Sequence, residues 1–325
     1  MREPPLSAAP IDANWPMYGL VDDVRAALAV LMRDGSPFAI ATLVGADGPS
    51  PRPVGAQMVV GSQGVAGHVS GGCVEGSVVL IGEEVAKSGV PRVVKFGQGG
   101  PFADVRLTCG TTIEVLVEPA PEASWNAVLQ AAEVREPIVR IASRSGPASI
   151  RKAQPGDPQY WSEGGQFAKR YDPPLRLVVF GRDPVALATV AAARFIEMET
   201  TLVRRLGPPE GPSGFSGRYL TCETAAALEQ VRLDAWTAVV TTTHDLGEDH
   251  EVLRAALPSD AFFVGALGSK TKRNERLQML AREGLDPLTA ERLHAPIGLD
   301  IGAKSATEIG VAIVSAIIRA YRSRP

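Results

Sequence analysis

Cysteine is scarce in this chain. Only three of the 325 residues are cysteine, too few for a disulfide framework, and free thiols beside glycine fit a reducing compartment. A surplus of one charge is also missing. The 33 Lys and Arg stand against 36 Asp and Glu, a formal net charge of −3, which gives nucleic acid no electrostatic hold. No run of about 18 apolar residues occurs, the length a spanning helix needs. The apolar stretch near Ile309–Ile318 is short and broken by Ser315. Histidine numbers four, and His244 and His250 are not at a spacing that pairs metal ligands on a helix. These absences argue against a nucleic-acid binder and a membrane protein, and point to a cytoplasmic one. What remains is an ordinary globular composition, 45% hydrophobic and 21% charged, long enough for two domains.

Against that background two of the three cysteines stand beside glycine. In Val69-Ser70-Gly71-Gly72-Cys73-Val74-Glu75-Gly76 the paired glycines permit close backbone approach and positive φ. Val74, Val78, Ile81 and Val85 follow at i, i+4, i+7 and i+11, one face of a helix. Ser70 is expected to cap that helix, with Cys73 in its first turn, where free N–H groups and the dipole favour a thiolate. Cys109-Gly110 repeats the pattern before a second apolar run. Between them in character is the loop Gly45–Gly55, whose Arg52 is flanked by Pro51 and Pro53. Prolines reduce the entropy lost on fixing a loop, so Arg52 is a candidate anion ligand.

In chain order, residues 1–16 are expected as a mobile arm and 17–121 as the cysteine-bearing domain. That domain should hold a helix over Val21–Met32, a strand over Phe38–Val44, a hairpin around Gly61–Gly64, the cysteine turn with its helix, and strands at Arg92–Phe96 and Thr111–Glu118. Residues 122–174 read as a connecting region: a helix at Trp125–Val134, a strand at Ile138–Ala142, then a Gly- and Pro-rich linker with short strands. From 175 to 325 strands and helices alternate. Strands are expected at Leu177–Phe180, Thr201–Val203, Ala238–Thr242 and Ala261–Val264. Helices should cover Pro184–Ile196, Thr224–Val231, His250–Leu257, Lys270–Glu283 and Ser305–Tyr321. The fold class is therefore α/β: an N-terminal mixed α/β domain and a C-terminal Rossmann-like, doubly wound parallel sheet.

The second domain lacks most of the dinucleotide fingerprint its fold suggests. Gly181-Arg182-Asp183-Pro184-Val185-Ala186 keeps the first glycine, but Asp183 replaces the middle one, through which backbone approaches a pyrophosphate. The next strand ends in Arg204-Arg205 where an acid for the ribose is usual. An arginine there suits a 2′-phosphate, yet Asp183 opposes tight binding of NAD or NADP. Other polar turns follow strands, at Thr243-His244-Asp245, Gly268-Ser269-Lys270 and Gly298-Leu299-Asp300. The Gly268-Ser269 turn before the basic helix start Lys270-Thr271-Lys272-Arg273 is able to hold phosphate.

Taken together these strings resemble the XdhC/CoxI family, maturation factors of molybdenum hydroxylases. The matching stretches are Pro49–Met58, Val69–Gly76, Cys109-Gly110, Thr243-His244-Asp245, Val264–Ser269 and His294–Gly302, with Glu308 and Ile309 at the family's spacing. The resemblance runs from about residue 20 to 320 and departs at Thr111, where a second glycine is common, and at Asp183. It implies a chaperone, not an enzyme. Such a protein binds the molybdenum cofactor, as molybdopterin or its cytidine dinucleotide, during sulfuration and inserts it into an apo molybdenum hydroxylase of the xanthine dehydrogenase or aldehyde oxidoreductase type. A cysteine desulfurase is the implied second partner, and a homodimer the implied assembly. The residues expected to hold the cofactor are Cys73, Cys109, Arg52, Ser70, Gly71, Gly72, Gly110, His244, Ser269, Lys270 and Asp300, with the two thiols as molybdenum or sulfur contacts. The alternatives are an NAD(P)-dependent oxidoreductase and a cofactor-free adaptor between sulfurase and client.

Overall fold

The computed structural model describes residues 17–97, 110–143 and 147–324. The 1–16 arm and Cys109 lie outside them. The chain divides into two compact units, Met1–Pro173 and Pro174–Pro325.

The first unit is antiparallel throughout. Strands β1 (Phe38–Asp47), β2 (Gln57–Gly61), β3 (Gly64–Gly67), β4 (Arg92–Phe96) and β5 (Thr112–Ala120) form one sheet in the order β3-β2-β1-β5-β4. Helix α1 (Arg25–Asp34) starts four residues later than its apolar spacing suggests and stops at left-handed Gly35, whose N–H bonds the Leu31 carbonyl. The late start follows from Asp23, whose carboxylate takes the Arg25 N–H and guanidinium and so holds the preceding residues out of the helix. Helix α2 (Glu75–Ser88) buries Val78, Ile81 and Val85 against this sheet, as its spacing requires, and Val74 just before it joins the same core.

Residues 147–173, expected as a linker with short strands, do contain short strands, and these pair into a sheet of the first unit. After α3 (Ala123–Val134), strands β6 (Ile138–Ser143), β7 (Ser149–Lys152), β8 (Tyr160–Glu163) and β9 (Gln166–Tyr171) pair antiparallel in the order β7-β6-β9-β8. Their polar composition reflects one solvated face, which an antiparallel sheet tolerates. The other face shares a core with the first sheet, where Val44 and Leu116 meet Ala142 and Phe167. A buried ion pair ties the two sheets. Arg140 on β6 donates both Nη atoms to the Glu118 carboxylate on β5 at 2.9 Å each, donates Nε to Ser124 Oγ at 2.8 Å, and lies 3.8 Å over the Trp125 ring.

The second unit is wholly parallel. Strands β10 (Arg176–Phe180), β11 (Glu199–Val203), β12 (Arg218–Leu220), β13 (Thr237–Thr241), β14 (Phe263–Ala266) and β15 (Leu293–His294) stand in the order β12-β11-β10-β13-β14-β15. Strands β10, β13 and β14 are apolar on both faces because helices cover both sides. Those helices are α4 (Pro184–Phe195), α5 (Thr224–Gln230), α6 (Leu246–Ala256), α7 (Lys270–Arg282), α8 (Pro287–Glu291) and α9 (Ala306–Arg322). The helix expected from His250 begins at Leu246, because Asp245 caps it by accepting the Gly247 and Glu248 N–H groups. The mixed α/β unit followed by a doubly wound parallel sheet matches the fold class read from the sequence.

Arg140 supplies the first test. Arg140→Ala leaves the Glu118 carboxylate buried without its partner, so unfolding in urea should show a loss of about 3–5 kcal/mol. A loss below about 1 kcal/mol would mean that the pair does not join the sheets.

Candidate functional site

The cysteine turn is built on a carboxylate. Glu75 is fully buried and accepts the Val69 N–H at 3.2 Å, the Ser70 N–H at 2.7 Å, the Ser70 hydroxyl at 2.6 Å and the Val74 N–H at 3.2 Å. Ser70 Oγ in turn accepts the Cys73 N–H at 3.1 Å and the Val74 N–H at 3.3 Å. Ser70 is therefore not the helix cap, and Cys73 is not in the first turn. The helix begins at Glu75, with Val74 before it, because Glu75 and Ser70 between them take the donors that a capping side chain would have served. Gly72 has φ +101° with open space around it, a conformation that favours glycine. Gly71, Gly72 and Cys73 are exposed, so the turn holds out a thiol on a base fixed from beneath.

Three separated strings of sequence converge here. The ideal Cβ of Gly71 would lie 3.6 Å from Pro51 Cγ, which puts the cysteine turn against the proline loop. Thr111, next to Gly110, donates its hydroxyl to the Pro49 carbonyl of the same loop. Gly110 thus stands beside Arg52's loop, while Cys109 lies outside the described residues. Arg52 is ion-paired with Asp22 at 2.6 Å through Nη2. It therefore reaches an anion as half of a pair, not as the free cation the sequence suggested.

Partners are missing at three atoms of this cluster. Ser50 Oγ, Arg52 Nε and His68 Nδ1 are buried and have no hydrogen-bond partner among the described residues. Buried polar atoms are nearly always paired, with protein or with ordered water, so each of these three atoms has capacity for a further partner. Burial, then the Arg52 charge, holds the His68 pKa below the ordinary imidazole value. Lys169 on β9 donates Nζ to the Gly55 carbonyl. Burial lowers its pKa to about 8, against the opposing pull of Asp23. Ser50, His68, Glu75 and Lys169 escaped the sequence reading. Only Glu75 had a signal, an acid five residues after the serine of the Ser-Gly-Gly-Cys string. Among the described residues no three His, Cys, Asp or Glu side chains gather as a metal site.

In the second unit the strand order reverses between β10 and β13, and ligands of open α/β sheets bind at the carboxyl ends there. Asp183 occupies that place. Its Oδ1 accepts the Ala186 N–H at 2.8 Å and the Thr242 hydroxyl at 3.0 Å, so it caps α4 where a pyrophosphate would sit. His244 Nε2 is 3.7 Å from its Oδ2. Gly181 remains glycine because a Cβ would lie 2.1 Å from Thr242 Oγ1. Arg205 is paired with Glu223 at 2.7 Å. The remaining expected residues do not gather at this crevice as one group. Ser269 caps α7 by accepting the Lys272 N–H, Lys270 lines a cavity to which neither His244 nor Asp300 contributes, and Asp300 is exposed in the loop after β15.

Residues 31–97 match the model of the XdhC and CoxI family, and residues 177–317 that of the XdhC Rossmann domain. The chain is 30% identical over 305 residues to the molybdenum cofactor insertion chaperone PaoD of Escherichia coli (strain K12), covering 92% of this chain and 89% of that one. It is 24% identical over 331 residues to a Bacillus subtilis (strain 168) protein named as a probable xanthine dehydrogenase subunit, covering 90% and 96%. A solved structure described as a xanthine dehydrogenase from Bacillus halodurans superposes with TM-score 0.75 at 25% identity, covering 93% of this chain and 96% of that one.

Two outcomes are expected from these geometries. Glu75→Gln keeps the shape but not four good acceptor contacts, and should lower stability in urea by about 1–3 kcal/mol; an unchanged midpoint would show that the carboxylate is dispensable. NADH added to the full chain should give no calorimetric binding in the micromolar range; a dissociation constant near 1 µM, about −8 kcal/mol, would contradict the part given to Asp183.

Proposed function

Since the chain belongs to the XdhC and CoxI family, we propose that it is a maturation chaperone that holds the molybdenum cofactor for an apo molybdenum hydroxylase. The observation that carries this reading is the exposed Cys73 thiol on a turn packed against the loop of Arg52, whose buried Nε has no hydrogen-bond partner among the described residues. A soft sulfur donor on a turn that adjoins a cation-bearing loop suits a cargo with a metal–sulfur end and a phosphate end. When bound, the cofactor brings the molybdenum chemistry that the client enzyme uses. The residues of this chain have the plainer task of holding it.

In this reading the residues divide the labour. Cys73 approaches the metal or its sulfur ligand from the exposed turn. Ser70 and Glu75 keep that turn in one conformation, and the open space at Gly72 lets a bulky ligand come close to the backbone. Arg52, already half-neutralised by Asp22, offers its unpaired Nε to an oxygen of the ligand, and the Gly110 turn borders the same loop. A cysteine desulfurase is the proposed source of sulfur while the cofactor is held. The relatives support the reading, since one of them is named as a molybdenum cofactor insertion chaperone and another as a probable xanthine dehydrogenase component.

The test is molybdenum and pterin analysis of protein purified without oxygen. Cys73→Ala should retain about tenfold less cofactor, the usual scale for loss of a supporting contact to a metal group. Its thermal midpoint should be unchanged, because the side chain is exposed. Equal retention by the variant removes Cys73 from the site. Wild-type protein free of molybdenum and pterin, when produced with its client, favours the cofactor-free adaptor.

A further inference from the structure

The second unit carries a cavity of about 530 Å³ bounded by the first turns of α7, by β15 with the loop after it, and by the last turns of α9. Its lining includes Lys270, Arg273, His294 and Arg319, and no carboxylate. None of the three cations makes an ion pair or a side-chain hydrogen bond among the described residues. The chain as a whole has a net charge of −3, so three convergent positive charges without a counter-ion are a local concentration, not a reflection of composition. Like charges held together repel, and an anion seated among them offsets that repulsion.

The chemistry of the lining narrows the anion. A single carboxylate would leave two of the three charges uncompensated. A phosphate or diphosphate, carrying two to three negative charges, balances them. Arg273 and Arg319 present planar forks that match phosphate oxygens, and Lys270 adds a point charge. The His294 ring is stacked on Phe263 with centroids 4.3 Å apart and planes at 13°, so the cavity has one flat wall of fixed orientation. Burial, then the Arg319 charge, holds its pKa below the ordinary imidazole value. The end of α7 itself is closed by Ser269, whose hydroxyl accepts the Lys272 N–H at 3.3 Å, so the cavity rests on side chains and not on free helix N–H groups. The volume falls in the ordinary range for a small-molecule site.

We propose that this cavity binds a phosphorylated small molecule, with Lys270, Arg273 and Arg319 receiving its phosphate oxygens. It lies at the β15 end of the sheet, away from the strand-order reversal that Asp183 fills. The inference goes beyond the chaperone reading and needs no molybdenum, so the two fail separately.

Calorimetry on the full chain tests it with inorganic pyrophosphate and with cytidine 5′-diphosphate. Pyrophosphate should bind below about 1 mM, more weakly as salt is raised. Arg319→Ala and Arg273→Ala should each weaken it about tenfold, while Arg319→Lys restores part of the loss, as expected for a charge-assisted contact. Lys87→Ala, a surface cation of the first unit, should leave it unchanged. All three cavity cations are exposed or half-buried, so the variants are expected to fold, and thermal midpoints check this. Tighter binding of the nucleotide than of pyrophosphate assigns the whole cavity to a nucleotide; equal binding assigns only the phosphate group to it, and both outcomes support the site. Absence of pyrophosphate binding by the wild type, equal affinity in folded Arg273→Ala and Arg319→Ala, or an equal loss in Lys87→Ala overturns it. Cofactor retention in Cys73→Ala has no bearing on the result.

Discussion

A buried polar group without a partner is expensive, of the order of 1–3 kcal/mol for a neutral group and more for a charged one. This chain buries several, and the way it pairs them organises both units. Arg140 and Glu118 join the two sheets of the first unit. Asp249 on α6 takes the Thr243 hydroxyl and Nη2 of the fully buried Arg276 of α7, and the same Nη2 also reaches the Leu267 carbonyl. Two helices and the ends of two strands are thereby fixed at the carboxyl edge of the parallel sheet. Glu75 does the same for the cysteine turn. Ser50 Oγ, Arg52 Nε and His68 Nδ1 are buried without a hydrogen-bond partner among the described residues, as are Nε and Nη1 of Arg276.

The doubly wound sheet keeps a dinucleotide-binding topology with an altered first turn. Its strand order and the retained Gly181 are those of a dinucleotide-binding unit. Asp183 supplies from within the chain the negative charge that a bound pyrophosphate would bring to the start of α4, and His244 stands beside it. The anion site proposed for this unit lies on the other side of β14, at a cavity lined by cations and by no acid. Fold and function are separable here because a helix start accepts a carboxylate of the chain as readily as a phosphate of a ligand.

Most of the fold was legible in the sequence. The apolar face of α2, the strand–helix alternation after residue 175 and the glycine stop of α1 are local patterns, and local patterns determine local structure. In 147–173 the short strands were legible but not their place in the first unit, because a sheet with one wet face has the composition of a linker, and only its contacts with Val44 and Leu116 distinguish it. Helix starts were misplaced where a side chain intervened, at Asp23 before α1 and at Asp245 before α6.

The site divides along the same line. The sequence alone singled out the strings proposed to carry the chemistry: Ser70 to Cys73, the prolines around Arg52, Gly110 after Cys109, and Asp183 in place of a glycine. These are visible because each is a departure from composition or from a motif at a fixed spacing. Only the tertiary structure decided what the residues do. It showed Ser70 as a link in the Glu75 network and not a helix cap, Arg52 as half of a pair with Asp22, and His68 and Ser50 as unpartnered neighbours. It also set Lys270 with Arg273 and Arg319, residues up to 49 positions apart in the chain. Partners separated by tens of residues meet only when strands and helices pack, and no spacing in the sequence encodes that meeting.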